Sequence, residues 1–261
     1  MSPTVASRRR LGWSFWTFIA LMVVLTALFV GLGVWQMNRQ AWKDALIARV
    51  ADRLTQRPYD LPPLGEWPSL DLEVYGYHPI TLTGHFIANS MVRVFTNLTD
   101  AKGKYDGPGY WVMTAFRPEG GGTVFVNRGF VPQSSGNAFA TGPDGTQPSV
   151  TLTGIGVAPE ATGAFTPPPD TRGHIEWVRD PARLATMAGI DPPVLGLTID
   201  VTAGAPGALP QGGETVVEFP NNHLGYVFTW FGFALLTPCL LGYWIWRQLR
   251  PAVAGPKSAQ P

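Results

Sequence analysis

Two long apolar runs bracket the chain, and the stretch between them is patterned as strands. Residues 11–38 and 224–246 carry no charged side chain. A membrane crossing takes about 20 apolar residues at ~1.5 Å rise each, so either run can span. The first is longer than required, and its last turns are expected to project beyond the hydrocarbon. It also far exceeds the roughly 7–15 apolar residues of a cleaved leader. Its exit reads Gly33-Val34-Trp35-Gln36, with no A-x-A-like cleavage site. An anchor is expected there.

Beyond the first run the helical pattern continues. Trp42, Leu46, Val50 and Leu54 recur every four residues, which predicts one apolar helix face. Pro58, Pro62, Pro63 and Pro68 then end the helix. From there the pattern is strand-like. Residues 79–87 alternate Ile80, Leu82 and Phe86 against Thr81, Thr83 and His85; 91–98, 110–117, 123–131, 150–157, 174–179 and 197–202 read similarly. Gly- and Pro-rich loops separate them, Gly120–Gly122 being a hairpin turn by position. Residues 180–188 predict a short helix with Asp180 as N-cap, Pro181 first in the helix and Gly189 beyond its end. The Ser/Pro/Gly tail 251–261 is expected to be disordered.

The predicted fold is a membrane protein of α+β class. Two transmembrane α-helices flank a β-rich extracytoplasmic domain, an antiparallel sheet or partial barrel. The segments are a cytoplasmic tail (1–10), a first span (11–36), a helical extension (37–57), the β-rich domain (58–219), a second span (222–246) and a cytoplasmic tail (247–261).

Charge supplies the orientation. Of the 19 Lys and Arg residues, Arg8, Arg9, Arg10, Arg247, Arg250 and Lys257 flank the spans, whereas all 18 Asp and Glu fall between Asp44 and Glu218. Short basic tails stay in the cytoplasm, so the middle segment is expected outside. It holds 13 basic and 18 acidic residues, a net charge of −5 that the whole-chain value of +1 conceals. That balance excludes a basic nucleic-acid surface. The short basic start, without a long transit segment, points to a bacterial inner membrane. Cys239, in the second span, is the only cysteine. No disulfide can form within the chain, and a CxxxC copper site is excluded.

Catalytic patterns are missing. There is no G-x-S-x-G, no H-E-x-x-H and no phosphate-binding loop, so the chain is not expected to be an enzyme. His78, His85 and His174 are far apart in sequence; His85 and His174 read as solvent-facing strand positions. His223 differs. It follows Pro220-Asn221-Asn222 at the outer end of the second span, where Asn222 is a natural N-cap. Neutral imidazole binds iron well. At ~100° per residue Tyr226 and Trp230 fall on the same face, an aromatic surface suited to a porphyrin. An aromatic belt with an interfacial histidine is the alternative. Gly225, Thr229 and Gly232 form a small-residue stripe on the opposite face, a surface for close helix packing. If the first span packs on that stripe, the His223 face points to lipid or a partner; if a haem lies between the spans, the stripe needs another explanation. Pro238 is expected to loosen the helix near Ala234. Trp35, Gln36 and Arg39 end the first span at the same membrane face as His223. Arg39 either pairs with a carboxylate such as a propionate or snorkels to headgroups.

Several short motifs, in order over about residues 32–233, carry a resemblance. They are Leu32-Gly33-Val34-Trp35-Gln36-Met37-Asn38-Arg39 with Trp42-Lys43 and Leu46-Ile47; Tyr75-Gly76-Tyr77-His78-Pro79 with Gly84-His85-Phe86; Gly107-Pro108-Gly109-Tyr110-Trp111-Val112; Val126-Asn127-Arg128-Gly129-Phe130-Val131-Pro132; and Asn222-His223-Leu224, Tyr226, Thr229-Trp230-Phe231-Gly232. This pattern resembles the Surfeit-locus family of cytochrome c oxidase assembly proteins. The resemblance implies two spans around an outer domain and a role in biogenesis of the haem a sites of haem–copper terminal oxidases. It implies transient haem a binding with His223 as axial ligand to the iron. Arg39, Trp35, Tyr226 and Trp230 are the accompanying candidates, and Arg128 matches as a structural residue. The implied partners are cytochrome c oxidase subunit I or a related oxidase subunit, the haem a synthesis machinery and membrane lipid. A scaffold that stabilises an oxidase subunit without touching haem is the alternative reading. A membrane sensor is disfavoured by cytoplasmic ends too short for an output domain.

Overall fold

A computed structural model describes residues 12–142, 147–204, 207–215 and 222–250. The expectations for Arg8, Arg9, Arg10, Lys257 and the tail 251–261 lie outside the described residues, as do Pro220 and Asn221. The chain divides into two compact units, 1–47 with 219–261 and 48–218. Two helices are long and apolar enough to cross a membrane: α1, Trp13–Leu54, and α4, His223–Leu249. With a mixed β-sheet domain between them in sequence, the chain is an α+β membrane protein.

In the helical unit α1 and α4 pack antiparallel along a seam that their sequences lay out. The sheltered positions of α4 include His223, Val227, Trp230, Phe231, Ala234, Thr237, Leu241 and Trp244. Those of α1 include Phe15, Phe18, Met22, Leu25, Phe29, Gly33 and Gln36. Steps of three and four keep one face of each helix toward its partner. Phe29 stacks on Trp230 with centroids 5.9 Å apart, and Phe15 stacks on Trp244 at 5.2 Å. A Cβ on Gly33 would stand 2.9 Å from the Phe231 ring, so this glycine is where the helices close up. Hydroxyls within the apolar runs are satisfied in their own helix: Thr26 donates to the Met22 carbonyl at 2.8 Å and Thr237 to that of Phe233. Gly225 and Gly232 have nothing within 4 Å of a built Cβ. The small-residue stripe is therefore not the packing surface; large aromatics interdigitating around one glycine are. The helix is continuous through Pro238.

The second unit begins with the last turns of α1, whose Val50 is buried. It contains β1 (Tyr59–Asp60), α2 (Leu72–Tyr75), β2 (Pro79–Leu98), β3 (Gly107–Pro118), β4 (Thr123–Pro132), β5 (Val150–Val157), β6 (Ile175–Glu176), α3 (Pro181–Ala188) and β7 (Val194–Val201). The sheet order β2-β3-β4-β7-β5 returns to β2 through an additional β2–β5 pairing, so it closes on itself. Closure leaves those strands no free edge. Against the expected antiparallel sheet or partial barrel, the sheet closes and is mixed: β1 and β6 pair β2 in parallel, and β4 pairs β7 in parallel because the chain from β4 to β7 passes through β5, β6 and α3 before returning.

Closure depends on β2. The sequence read 79–87 and 91–98 as two strands, and the structure makes them one, irregular between Phe86 and Met91. Its first half pairs β5 and the remainder pairs β3, with Gly84 opposite both Val150 and Pro118. A side chain at Gly84 would meet the Arg117 carbonyl oxygen at 2.1 Å. At the irregularity Asn89 has φ 54°, and the Ser90 hydroxyl accepts from the Ala115 N–H at 3.2 Å, replacing a lost ladder bond. The hairpin at Gly120–Gly122 joins β3 to β4, with Gly121 and Gly122 both at positive φ.

Both faces of the central strands are buried. Phe125 packs with Val92, Trp111, Met113 and Leu184 on one side; Val124 and Val126 pack with Ile80, Phe116, Leu197 and Ile199 on the other. The apolar runs in β3 and β4 are continuous for this reason. Helix α3 covers the first cluster and forms as its sequence predicts. The Asp180 carboxylate accepts from the Arg183 N–H, Pro181 leads, and Gly189 takes φ 65°.

Candidate functional site

His223 is the first residue of α4. Asn222 precedes it, but its side chain makes no capping hydrogen bond among the described residues, so the helix start is set by position rather than by an Asn cap. The imidazole reaches into the helix seam, where Nδ1 stands 2.6 Å from Oε1 of Gln36. Gln36 is 8% exposed. With the amide oxygen as acceptor, the ring donates from Nδ1, and an imidazole bonded in this way keeps its lone pair on Nε2. This is the arrangement of a metal-binding histidine whose other nitrogen is anchored by a neighbour.

The remaining candidates separate. Trp230 follows His223 by two helical turns along the seam and packs against Phe29 and Phe233. Tyr226 is 55% exposed and Trp35 57%; both lie off the seam. At ~100° per residue Trp230 returns to within about 20° of His223 and stays on the seam, whereas Tyr226, about 60° away, lies at the exposed edge of that face. Arg39 is exposed, its guanidinium 4.2 Å over the Trp42 ring, with no carboxylate partner among the described residues. Trp42, the first residue of the predicted apolar face, is exposed beneath it.

Among the described residues no three His, Cys, Asp or Glu side chains converge to hold a metal ion. What the helical unit offers is one oriented imidazole, with exposed aromatic rings and a guanidinium that has no carboxylate partner among the described residues nearby in sequence. That donor set fits a porphyrin held by one axial nitrogen. Gln36 was legible only as one of the residues ending the first span, not as the partner of His223, although it is an amide within an uncharged run, seven residues after Phe29 and three after Gly33, on the packing stripe.

The other histidines sit in the β domain. His85 lies on β2 and is half-buried. His174 is in a turn before β6 with φ 50°, half-buried, its Nδ1 enclosed without a partner; it was expected as a solvent-facing strand residue. His78 is buried against Tyr59, and burial, then the Arg53 charge, lower its pKa. Arg128 packs its guanidinium 5.1 Å over the Phe86 ring, and burial lowers its pKa. Elsewhere Arg179 bridges Glu160 at 2.9 Å and Asp200 at 3.1 Å, and Arg183 meets Glu176 at 2.9 Å. Each of these ties β7, α3 or β6 to its surroundings.

Residues 23–235 match the SURF1 family. The chain is 31% identical over 238 residues to Surfeit locus protein 1 of Rattus norvegicus, covering 87% of this chain and 74% of the rat protein. It is 29% identical over 248 residues to Surfeit locus protein 1 of Homo sapiens, covering 91% and 79%. A SURF1-like protein of Monosiga brevicollis is 29% identical over 253 residues, covering 95% and 92%.

Proposed function

This chain belongs to the SURF1 family, and from that premise we propose that it is an assembly factor for a haem–copper terminal oxidase. In this reading it carries haem a transiently on His223 and passes it to an oxidase subunit. It acts as a carrier and not as a catalyst, in a bacterial inner membrane with both termini cytoplasmic and the β domain periplasmic. Arg247 and Arg250 at the end of α4 support that orientation.

The observation that carries the haem assignment is the hydrogen bond between His223 and Gln36. A histidine serving only as an interfacial polar residue has no need of a buried amide selecting its tautomer. His223 would hold the haem through a single protein nitrogen, which would favour transfer over retention. Haem a is an apolar cargo that is costly to expose to water, so a carrier embedded in the membrane avoids its desorption. In this reading Arg39 would leave the Trp42 ring to pair with a propionate, and the exposed rings of Tyr226 and Trp35 would offer aromatic surface to the macrocycle. Trp230 contributes by filling the seam behind His223.

The test is genetic and spectroscopic. Membranes from cells lacking the protein are expected to contain oxidase depleted of haem a, restored by the wild-type gene and not by His223→Ala. Full restoration by a normally accumulating His223→Ala protein would favour a scaffold that stabilises an oxidase subunit without handling haem.

A further inference from the structure

A groove of about 350 Å³ opens on the β domain where the Pro-rich loop after β5 meets β6 and α3. Pro169 and Thr171 line it from the loop, Glu176 from β6, and Arg183, Thr186 and Met187 from α3. Its chemistry suits an aromatic ring. The Arg183 guanidinium is held by Glu176, Nη2 and Nε donating to Oε2 at 2.9 and 3.3 Å. A guanidinium fixed at its edge keeps its face for a ring. The Met187 thioether is polarizable and makes favourable contacts with aromatic rings, and Pro169 adds an apolar wall. Since Arg183 and Glu176 neutralise each other, the lining has no net charge to attract an ion.

The same loop carries an aromatic side chain with nothing to cover it. Phe165 is 98% exposed, so it touches neither its own groove nor any other part of its chain. The backbone beneath it is ordered. The Thr166 N–H donates to the Gly163 carbonyl at 3.1 Å and the Gly163 N–H to the Thr166 hydroxyl at 2.8 Å, closing a turn with Phe165 at its third position. Trp177 Nε1 donates to the Pro168 carbonyl at 3.1 Å. At the base, the Glu160 N–H donates to the Arg179 carbonyl at 2.9 Å, and Arg179 returns its N–H and Nε to the Glu160 carboxylate at 3.0 and 2.9 Å. Residues 161–169 between these ties carry no charge. A ring held out on an ordered frame loses little conformational freedom when it is bound.

We propose that this face joins two copies of the chain, with Phe165 of each copy seated in the groove of the other, against Arg183 and Met187. Knob and socket lie on one surface, because the four residues from Phe165 to Pro169 span at most about 14 Å. A two-fold interface uses the same patch on both copies, so that patch has to be self-complementary. An exposed ring beside a groove that suits a ring meets that requirement. The uncharged tip and the internally paired Glu160–Arg179 and Glu176–Arg183 let the two copies approach without repulsion. One anchor on each side makes a small interface, of the kind that forms reversibly. Confinement of both copies to one membrane raises their effective concentration and favours it.

The experiment measures distances between copies of the full chain by double electron–electron resonance in phosphatidylcholine vesicles. A nitroxide is placed on Ser149→Cys, an exposed position outside the loop and the groove, in a Cys239→Ala background. The expected result is one defined inter-copy distance, with an amplitude that falls as the protein is diluted with lipid. Phe165→Trp is expected to keep it. Phe165→Ser, which removes the knob, and Thr186→Lys, which fills the socket, are expected to raise the protein density needed for half-association about tenfold or more. Both positions are exposed, so these variants keep the fold. No defined distance at any density, as for a tip that enters lipid or an unrelated protein instead, overturns the proposal. So does an amplitude unchanged in Phe165→Ser or in Thr186→Lys.

Discussion

A hydrogen bond to an amide oxygen decides which nitrogen of His223 carries the proton. With Gln36 as acceptor, Nδ1 is the donor and Nε2 keeps its lone pair. Replacing Gln36 by Leu removes the acceptor and leaves the ring free to rotate or take the other tautomer. Loss of such a supporting partner typically weakens metal binding by about 10–100-fold. Haem titration of purified Gln36→Leu is expected to show that loss, and unaltered affinity would mean that the amide does not orient the ligand. His78 makes a separate prediction through pH. Burial and Arg53 lower its pKa below the ordinary value of about 6.5, so folding favours the neutral ring. Its contribution is complete above the unfolded value and is lost as pH falls from there through the folded value. The thermal midpoint of wild type should fall more steeply below about pH 6.5 than that of His78→Phe. Parallel curves would contradict the assignment. Of these two residues, His223 was legible because it stands alone at a span boundary. His78 was not, since only the fold brings α1, β1 and the pre-β2 loop around it.

Among the elements, α3 was the most legible, because cap, proline and terminal glycine act within a few residues of one another. The seam between α1 and α4 was the least. Small residues mark the face that lets helices approach, yet Gly225 and Gly232 are open and Gly33 alone receives a ring. The 3–4 spacing of aromatics with Gln36 and His223 was the informative pattern. Strand β2 shows a different limit. Alternation identified both of its halves, but nothing local revealed that Ala88-Asn89-Ser90 is a register irregularity within one strand. That depends on Ser90 reaching Ala115 across the sheet. Gly84 carries the consequence, as β2 touches β3 and β5 there at once. Gly84→Val drives a side chain into the Arg117 carbonyl and should destabilise the β domain by about 1–3 kcal/mol or more. Chemical denaturation is the check, and a midpoint equal to wild type would show that the strands yield at no cost.

For the molecule as a whole, hydropathy alone set out two spans with a β-rich segment between them, because the bilayer imposes a length that few other structures need. Closure of the sheet and its parallel pairings were beyond the sequence, since all are long-range pairings with no local signature. The function was reached differently again. Family membership supplies the oxidase-assembly context, whereas the His223–Gln36 pair supplies the chemical reason for a haem. The direct measurement is the absorption spectrum of the detergent-purified protein, co-produced with the enzymes of haem a synthesis, for wild type and His223→Ala. The account predicts stoichiometric haem a in wild type and its loss from a variant that remains folded. Haem retained undiminished in His223→Ala, or negligible haem in both proteins, would contradict it.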